Sequence, residues 1–252
     1  MPRKPRMTHV GYYHIISRGV ERRNVFLETE DFEQFMNILQ VVQKNYHITL
    51  HTFCLMSNHY HLLLETHNEN ISEAMRTLNS HYAAWFNRKY SRSGHLWQGR
   101  YKSYILFDDE HFWNVAKYIE RNPIAATIVE CIENYPYQSF YQRIHQTKYA
   151  TLILGSRILE MSLLEYTSLI DAAFDNQSLN SIYKSPKLTQ HDDGSFEILS
   201  KRLNTFFETD GQLTRNQKII SASKYGYSQT DIAKYLDMSV MAISKIVNQH
   251  ST

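Results

Sequence analysis

The order of apolar and polar positions in the first half of the chain predicts a β-α-β-β-α-β succession. Residues 12–20 alternate like a strand with one face on a core, whereas residues 31–46 repeat apolar side chains at helical spacing. The predicted elements are a strand at 12–20, a helix at 31–46, strands at 47–58 and 59–65, a helix from Asn70 or Ser72 to about Tyr90, and a strand at 100–107. This succession predicts an α+β fold of the ferredoxin-like type, a four-stranded antiparallel sheet backed by two helices, with one sheet face left available for a site.

A further helix is predicted at residues 108–126, where it could cover that free face. Acidic residues suit its N-terminus, and one stripe along it is apolar, formed by Phe112, Val115, Ile119 and Pro123. Beside the stripe Asn114, Tyr118 and Asn122 recur at every fourth position, with His111 close to the same line. The helix thus presents a phenol and a carboxamide one turn apart. Taken alone, this segment is better interpreted as an ordinary amphipathic helix end with a proline stop.

The rest of the chain divides into two regions. Residues 143–211 predict a helical linker or accessory region, with one helix around 162–174 and a polar linker at 183–195. Residues 212–252 predict three short helices, with Ser228 and Asp231 as a capping pair and Ser239 as a second cap. Short helices broken in this way are typical of a helix-turn-helix.

In that helix-turn-helix one face would form a small core and the other would be free to contact duplex DNA. The core positions are Ile232, Ala233, Leu236, Ile243 and Ile246. The outer positions of the last helix are Val240, Met241, Ser244, Lys245 and Asn248, of which Lys245 is the predicted DNA contact. The alternative is a three-helix bundle that binds protein or nothing.

Composition limits the classes of protein that this chain can be. With 252 residues, 42% of them hydrophobic and 21% charged, it is long enough for one large domain or two unequal ones. The sequence has no apolar run of the ~18 residues that cross a bilayer and no secretion signal at its start, so we expect a cytoplasmic protein without membrane contact. Cys54 and Cys131 are too far apart in sequence for a thiolate zinc site, and we expect both to be small core residues.

The net charge of +2 conceals two basic clusters. Residues 1–24 and 88–102 are rich in Lys and Arg and interleaved with aromatic residues. Because cations hold a phosphate backbone and rings stack on unpaired bases, this mixture favours single-stranded nucleic acid, although solvated loop charge is the alternative. The candidate DNA contacts are Arg18, Arg22, Arg100 and Lys102.

Two histidines stand two positions apart in the run MSNHYHLLLE. In a strand His59 and His61 share one face, so their ring nitrogens converge, although two partly exposed strand histidines are the plain alternative. Joined by the side-chain oxygen of Asn122, they would form a site with open positions that suits Mg²⁺ or Mn²⁺. Tyr118 would then be the nucleophile that attacks a polarised phosphate, activated by the nearby cation or by a base such as His111, to give a phosphotyrosine.

These motifs together resemble a known family. MSNHYHLLLE is similar to the HUH signature, and YIERNP is similar to the nucleophile helix of single-tyrosine HUH transposases. The segments YYHIISRGVERRNVF, GHLWQGRYKSYIL and NYPYQSFYQ resemble the REP-associated tyrosine transposase branch, in the expected order. The resemblance covers residues 8 to 142, so residues 1–142 are predicted as the catalytic domain. Ser57 stands where the branch commonly has proline, which should affect turn stiffness more than metal binding.

The resemblance implies a mechanism and a partner. His59 and His61 match the two metal-binding histidines, Tyr118 the tyrosine that attacks a DNA phosphate, and Asn122 the polar third ligand. In that family the tyrosine becomes joined to the 5′ phosphate of hairpin-bearing single-stranded DNA and releases a 3′ hydroxyl. We expect a monomer or homodimer that acts in this way. Two other hypotheses remain open, a water-using metal-dependent phosphodiesterase and a catalytically silent DNA-binding regulator.

Overall fold

The computed structural model describes residues 9–106, 108–172, 188–190, 196–198, 203, 205–208, 213–224, 227 and 229–248. The chain separates into two compact units, Met1–Ser185 and Pro186–Thr252. None of the helices in these described ranges is both long and apolar enough to span a membrane.

The first unit is built on a four-stranded antiparallel sheet. Its strands are β1 (Gly11–Arg18), β2 (Ile48–Met56), β3 (His59–Thr66) and β4 (Lys102–Leu106). They lie in the order β2-β3-β1-β4, so β1 pairs with both β3 and β4 while β2 pairs with β3. All four strands lie within the ranges that sequence periodicity predicts, apart from one residue at each of two ends. The two-residue turn Ser57-Asn58 joins β2 to β3, as expected.

Two long helices pack on one face of this sheet. They are α1 (Thr29–Tyr46) and α2 (Ile71–Lys89), and both match their predicted positions. The alternation of β1 and β3 directs one set of side chains towards them, among which Tyr13, Ile15, Tyr60, Leu62 and Leu64 are fully buried. Aromatic side chains from both helices fill the space between, so this face forms the larger hydrophobic core of the unit.

The opposite face of the sheet is covered by α3 (Asp109–Glu120). On this face, strand side chains from β2, β3 and β4 point away from the larger core and pack against the apolar stripe of α3. Together they form a second core, whose buried members are Cys54, Met56, Leu63, Leu106, Phe112, Val115, Ala116, Ile119 and Tyr135. The Asp108 carboxylate accepts a hydrogen bond from the His111 backbone N–H at 2.7 Å and begins the helix, as expected for an acidic N-cap. The covering helix is thus the one that carries Tyr118.

The helix predicted at 108–126 is interrupted. It ends at Glu120, and after Arg121 a separate turn, α4 (Asn122–Ala125), begins. Pro123 lies in the first turn of α4, where its missing N–H costs nothing. Tyr118 and Asn122 therefore lie on two consecutive helices.

The chain after α4 returns to the same unit. It forms α5 (Ser139–His145), 3-10 helices at Ile132–Asn134, Lys148–Ile153 and Arg157–Glu160, and α6 (Leu163–Asp171). Side chains of this region enter the larger core, including Leu152, Ile158, Tyr166 and Ile170. The first unit thus continues well past residue 142, where the sequence suggested a boundary.

The expectation that both cysteines are core residues is wrong for one of them. Cys54 is buried, but Cys131 is exposed. Cys131 directly precedes a 3-10 turn in which Ile132 takes the buried position instead.

Among its described residues, the second unit contains a short two-stranded sheet and four helices. These are β5 (Leu188–Gln190), β6 (Phe196–Ile198), α7 (Thr205–Glu208), α8 (Arg215–Lys224), α9 (Gln229–Leu236) and α10 (Val240–Asn248). Leu188–Gln190 fall in the stretch predicted as a linker, which is corrected because they pair with β6.

A small core joins the last helices of the second unit. Ile219, Ala222, Ile232, Ala233 and Ile243 are buried, and Leu236 and Ile246 pack against them. The Ser239 hydroxyl accepts a hydrogen bond from the Ala242 backbone N–H at 3.2 Å, as expected for a cap. Ser228 and the side chain of Asp231 lie outside the described residues.

Candidate active site

A cavity of about 370 Å³ opens at one end of the sheet, beside α3. The end of β1, the start of β3 and the start of β4 meet there. Its walls are formed by Ile16, Ser17, Arg18, His59, His61, Gln98, Gly99, Arg100, Lys102, Tyr104 and Tyr118. Six of the nine residues predicted for the site, all from the first unit, thus line one cavity.

The two histidines of the HUH-like motif are oriented by their neighbours. His59 Nδ1 lies 2.6 Å from the side-chain oxygen of Asn58, whose amide in turn donates to the carbonyl of Arg22 at 3.1 Å. His61 Nδ1 lies 2.9 Å from Nε2 of His14, which projects from β1 and is fully buried. Because both Nδ1 atoms are engaged, Nε2 is the nitrogen that each ring keeps for a ligand.

Both rings are held in the neutral form. Burial, followed by the nearby Arg18 guanidinium, lowers the pKa of His59 to about 4. Burial, together with the neighbouring His14, His59 and Arg18, lowers the pKa of His61 well below its ordinary value. A neutral imidazole has a lone pair for a metal ion, so these two residues fit the nitrogen ligands of a divalent cation.

Tyr118 reaches this pair from α3. Its ring lies edge-on to that of His61, with centroids 5.5 Å apart, and edge-on to that of His14 at 6.0 Å. Tyr104 of β4 also lies close to His14, with ring centroids 6.0 Å apart. The cavity therefore brings a phenol next to a potential metal site within a single chain.

The rim of the cavity is cationic. Arg18 is the strand partner of His59, and Lys102 is the partner of Ile16 in the neighbouring strand. Arg100 lies in the segment before β4, two residues after Gln98. The backbone N–H of Gln98 donates to the carbonyl of Arg18 at 2.8 Å. All three cationic side chains are exposed. They are available to a phosphate backbone that approaches the cavity.

Other predicted residues lie outside the cavity wall. Asn122 is half-buried at the start of α4, and its side-chain amide donates to the carbonyl of Tyr118 at 2.8 Å, which leaves its Oδ1 as the available oxygen. Arg22 is exposed in the 3-10 helix Val20–Arg22. His111, named as a possible base, lies at the start of α3 with Nδ1 4.0 Å from the Asp108 carboxylate. Lys245 belongs to the second unit, where it is exposed on α10.

The side chains around His59 and His61 limit the kinds of donor atom that could hold a metal ion with them. Within the described part of the chain, no three His, Cys, Asp or Glu side chains converge as a metal-binding group. Neutral oxygen donors, solvent or a phosphate could complete the coordination of an ion held by the two imidazoles. A site of this kind retains open positions, which is what phosphoryl chemistry requires.

Sequence reasoning missed three residues of the site. They are His14 and Asn58, which contact His61 and His59, and Tyr104 in the cavity wall. His14 carried a signal, since an imidazole within the apolar strand YYHII is unusual, and His14 shares a strand face with Arg18 at even spacing.

Comparisons with known proteins agree with this geometry. The family model of the IS200-like transposases matches residues 7–122 of this chain. A protein of Haemophilus influenzae (strain Rd) named as a REP-associated tyrosine transposase is 26% identical over 128 residues, which cover 46% of this chain and 72% of that protein. The solved structure of a REP-associated tyrosine transposase bound to a REP hairpin matches with a TM-score of 0.50 and 15% identity, covering 58% of this chain and 87% of that chain. These comparisons confirm the expected resemblance: residues 7–122 are similar to the IS200-like transposases, and the chain is similar to a REP-associated tyrosine transposase.

Proposed function

We propose that this protein cleaves and rejoins hairpin-bearing single-stranded DNA through a covalent 5′-phosphotyrosine at Tyr118. The observation that carries the proposal is the cavity in which Tyr118 faces His61, with ring centroids 5.5 Å apart, beneath a rim of cationic side chains. A nucleophile, a pair of neutral nitrogen ligands and phosphate-binding charges are the parts that such a reaction needs.

The proposed step conserves the phosphodiester bond energy. The phenol oxygen of Tyr118 attacks the phosphorus and loses its proton, while the bond from phosphorus to the 3′ oxygen breaks and that oxygen takes up a proton. The strand is left with a free 3′ hydroxyl, and its 5′ phosphate is joined to the protein. Attack by a second 3′ hydroxyl reverses the sequence and releases Tyr118, so no external energy source is needed.

The proposal includes Mg²⁺ or Mn²⁺ held by His59, His61 and Asn122. The ion would polarise the phosphoryl oxygens and balance the charge that develops on them. Asn58 and His14 would fix the two rings so that Nε2 points to the ligand position. Arg18, Arg100 and Lys102 would hold the strand across the cavity, and Arg22 would extend that contact on the same side.

For the rest of the chain we propose a supporting role in DNA binding. The strand order β2-β3-β1-β4 supports a ferredoxin-like catalytic domain in residues 1–142, and the first part of the predicted accessory region 143–211 packs into the same unit. The three helices α8–α10 around one small core support a helix-turn-helix in residues 212–252, with Lys245 on its exposed face. It would hold duplex DNA such as a hairpin stem. The protein would act in the cytoplasm, as a monomer or homodimer.

The test is a denaturing gel of the full chain incubated with labelled hairpin-bearing single strands, with and without Mg²⁺ or Mn²⁺. We expect a metal-dependent band of protein joined to DNA that disappears in Tyr118→Phe. Tyr104→Phe is the matched control, because it removes the other phenol of the same cavity and should still give the adduct.

Each alternative gives a different gel. Strands that are cut without an adduct, and equally well by Tyr118→Phe, would replace the transferase with a water-using phosphodiesterase. Strands that are bound but never cut, over a pool that varies stem and flanking bases, would favour a catalytically silent regulator.

A further inference from the structure

The sequence indicates no chemistry for the residues after 142. In the structure they contact both ends of α3, the helix that carries Tyr118. At its start the Arg157 guanidinium forms an ion pair with the Asp109 carboxylate at 2.9 Å and lies over the Phe112 ring, 4.6 Å from its centroid. Just beyond its end Arg121 donates to the carbonyl of Ile170, at the last turn of α6, at 3.0 Å. The helix is thus held by the accessory region as well as by the sheet.

The central contact is the carboxylate of Glu120, which is fully buried. One oxygen, Oε1, accepts hydrogen bonds from the Ser139 hydroxyl at 2.6 Å and the Tyr166 hydroxyl at 3.2 Å. The other oxygen accepts from the backbone N–H of Phe140 at 3.2 Å. Placing a carboxylate away from water is costly unless donors surround it, so three donors from α5 and α6 indicate a built site.

This site is connected to the strand that lies next to the two histidines. The Ser139 hydroxyl oxygen also accepts a hydrogen bond from the backbone N–H of Phe53 at 2.9 Å. Phe53 belongs to β2, where it pairs with Leu62, and the next residue, Cys54, pairs with His61. One chain of hydrogen bonds therefore links the end of α3 to β2, the edge strand that pairs with β3, on which His59 and His61 lie.

We propose that Glu120 is a positioning residue: its buried carboxylate, held by Ser139, Phe140 and Tyr166, sets the last turn of the helix so that Tyr118 meets the His59–His61 pair. Tyr118 and Glu120 are two residues apart, so at 100° per residue they project from opposite sides of the helix. One side chain faces the reaction and the other anchors the helix from behind. The inference rests on the proposed function, because it assigns Glu120 a role in the attack by Tyr118.

The expected effect is on the rate of attack and not on binding. A displacement of about 1 Å of a reacting group costs on the order of 100-fold in rate. We therefore expect Glu120→Ala to form the DNA adduct about 100-fold more slowly, while Mn²⁺ affinity and single-strand affinity stay at wild-type values. Glu120→Gln keeps an oxygen for Ser139 and Tyr166 and should restore most of the rate. Glu110→Gln, an exposed acid on the same helix, is the matched control and should match wild type.

A second variant covers the case in which Glu120→Ala does not fold. Ser139→Ala removes the link between Glu120 and β2 with the loss of one hydroxyl, so we expect it to form the DNA adduct more slowly than wild type and faster than Glu120→Ala. Circular dichroism and thermal unfolding establish which variants are folded before any rate is compared.

A readout independent of catalysis is the distance from the metal to Tyr118. In protein labelled with 3-fluorotyrosine, the Tyr118 ¹⁹F resonance is identified among 18 tyrosines by its absence in Tyr118→Phe. Bound Mn²⁺ should broaden that resonance strongly in wild type and less in Glu120→Ala or Ser139→Ala. A residue that only stabilised the fold would not change this broadening at saturating Mn²⁺.

The outcomes separate this inference from the proposed function. If wild type forms no adduct with any strand of the pool, the proposed function fails, and with it the role of Glu120 in it. If wild type forms the adduct and folded Glu120→Ala and Ser139→Ala form it equally fast, Glu120 does not position Tyr118. A slower rate that is fully explained by weaker Mn²⁺ binding would also overturn the positioning role.

Discussion

The two faces of the four-stranded sheet are covered in different ways. On the face towards α1 and α2, most of the buried strand side chains are aliphatic or aromatic. Rings such as Phe35, Tyr60 and Tyr82 pack on each other there, with centroids 4.8–5.2 Å apart. On the face towards α3, His14, His51 and His61 are buried among a smaller apolar set. One sheet thus separates residues that stabilise the fold from residues suited to chemistry.

The difference has a physical cause and a consequence. Because successive strand residues point to opposite faces, β1 and β3 can supply apolar side chains to one core while presenting imidazoles and arginine to the other. Buried imidazoles contribute less hydrophobic stabilisation than Leu or Phe. We therefore expect substitutions on the α1/α2 face to affect mainly stability, and those on the α3 face to affect mainly metal binding, DNA cleavage and the dependence of stability on pH.

The largest effect is expected from Phe35→Ala on the α1/α2 face. Phe35 is fully buried, and its removal leaves a cavity among Phe26, Tyr60 and Tyr82. Phe→Ala substitutions in a core cost about 3–5 kcal/mol in the free energy of unfolding, measured by urea denaturation. Mn²⁺ affinity of the folded protein should not change. Val41→Ala, exposed on the same helix, should cost less than about 0.5 kcal/mol. Weakened Mn²⁺ binding in folded Phe35→Ala would show that the two faces are not separable.

The next effect tests the α3 face through His14. Its ring nitrogen is the partner of His61 Nδ1 at 2.9 Å, and loss of such an outer partner typically weakens metal binding about 10–100-fold. We expect this loss of Mn²⁺ affinity in His14→Leu, measured by calorimetry, with a smaller loss in His14→Gln, whose amide can still accept a hydrogen bond. Equal Mn²⁺ affinity in wild type and His14→Leu would mean that His61 does not depend on this partner.

Sequence periodicity predicted this division of faces only in part. The positions of β1–β4, α1 and α2 follow from local patterns of period 2 and 3.6, and the alternation of His59 and His61 follows from the strand itself. The contact of His14 with His61 depends on the register between β1 and β3, which no local pattern specifies.

The remaining differences also depend on distant contacts. The break at Arg121 separates one predicted helix into α3 and α4, although only Pro123 marks it in the sequence. Tyr166 and Ile170 reach the core of the first unit through contacts with distant residues, such as the Tyr166 hydroxyl with Glu120 and the Ile170 carbonyl with Arg121. The burial of Glu120 could not be predicted from α3 alone, because its hydrogen-bond donors come from α5 and α6.

A smaller effect concerns how stability depends on pH, and it arises from His51. Burial, followed by the positive charge of Arg157, lowers the pKa of His51 to about 3, and His67 and Glu65 also lie close to its ring. Below pH 6.5 the unfolded chain binds a proton that the folded protein does not, so stability falls as pH falls from about 6.5 towards 3. Between pH 6.5 and 5 this amounts to about 2 kcal/mol, since each pH unit is worth ~1.4 kcal/mol.

His51→Asn removes this proton but keeps an acceptor for the backbone N–H of Arg157, which donates to His51 Nδ1 at 3.1 Å. We expect its free energy of unfolding to fall less than that of wild type between pH 7 and 5, as measured by urea denaturation at each pH. His81→Asn, exposed on α2, is the control and should run parallel to wild type. Parallel curves for all three proteins would remove His51 as a source of acid sensitivity on the α3 face.

The smallest expected effect is on the salt dependence of DNA affinity. It tests whether DNA binds only at the α3 face or also at the second unit. Lys102 is exposed at the cavity rim and Lys245 is exposed on α10, so each offers one phosphate contact. Loss of one such contact lowers the slope of log affinity against log salt by about 0.7 for single strands and about 0.9 for duplex. Lys102→Ala should therefore change the slope only for the single strand, and Lys245→Ala only for the duplex, in fluorescence anisotropy titrations. Each variant is the control for the other. If either variant changed the salt slope equally for both DNAs, single strand and duplex would share one binding surface. An unchanged duplex slope in Lys245→Ala would show that Lys245 on α10 does not contact DNA.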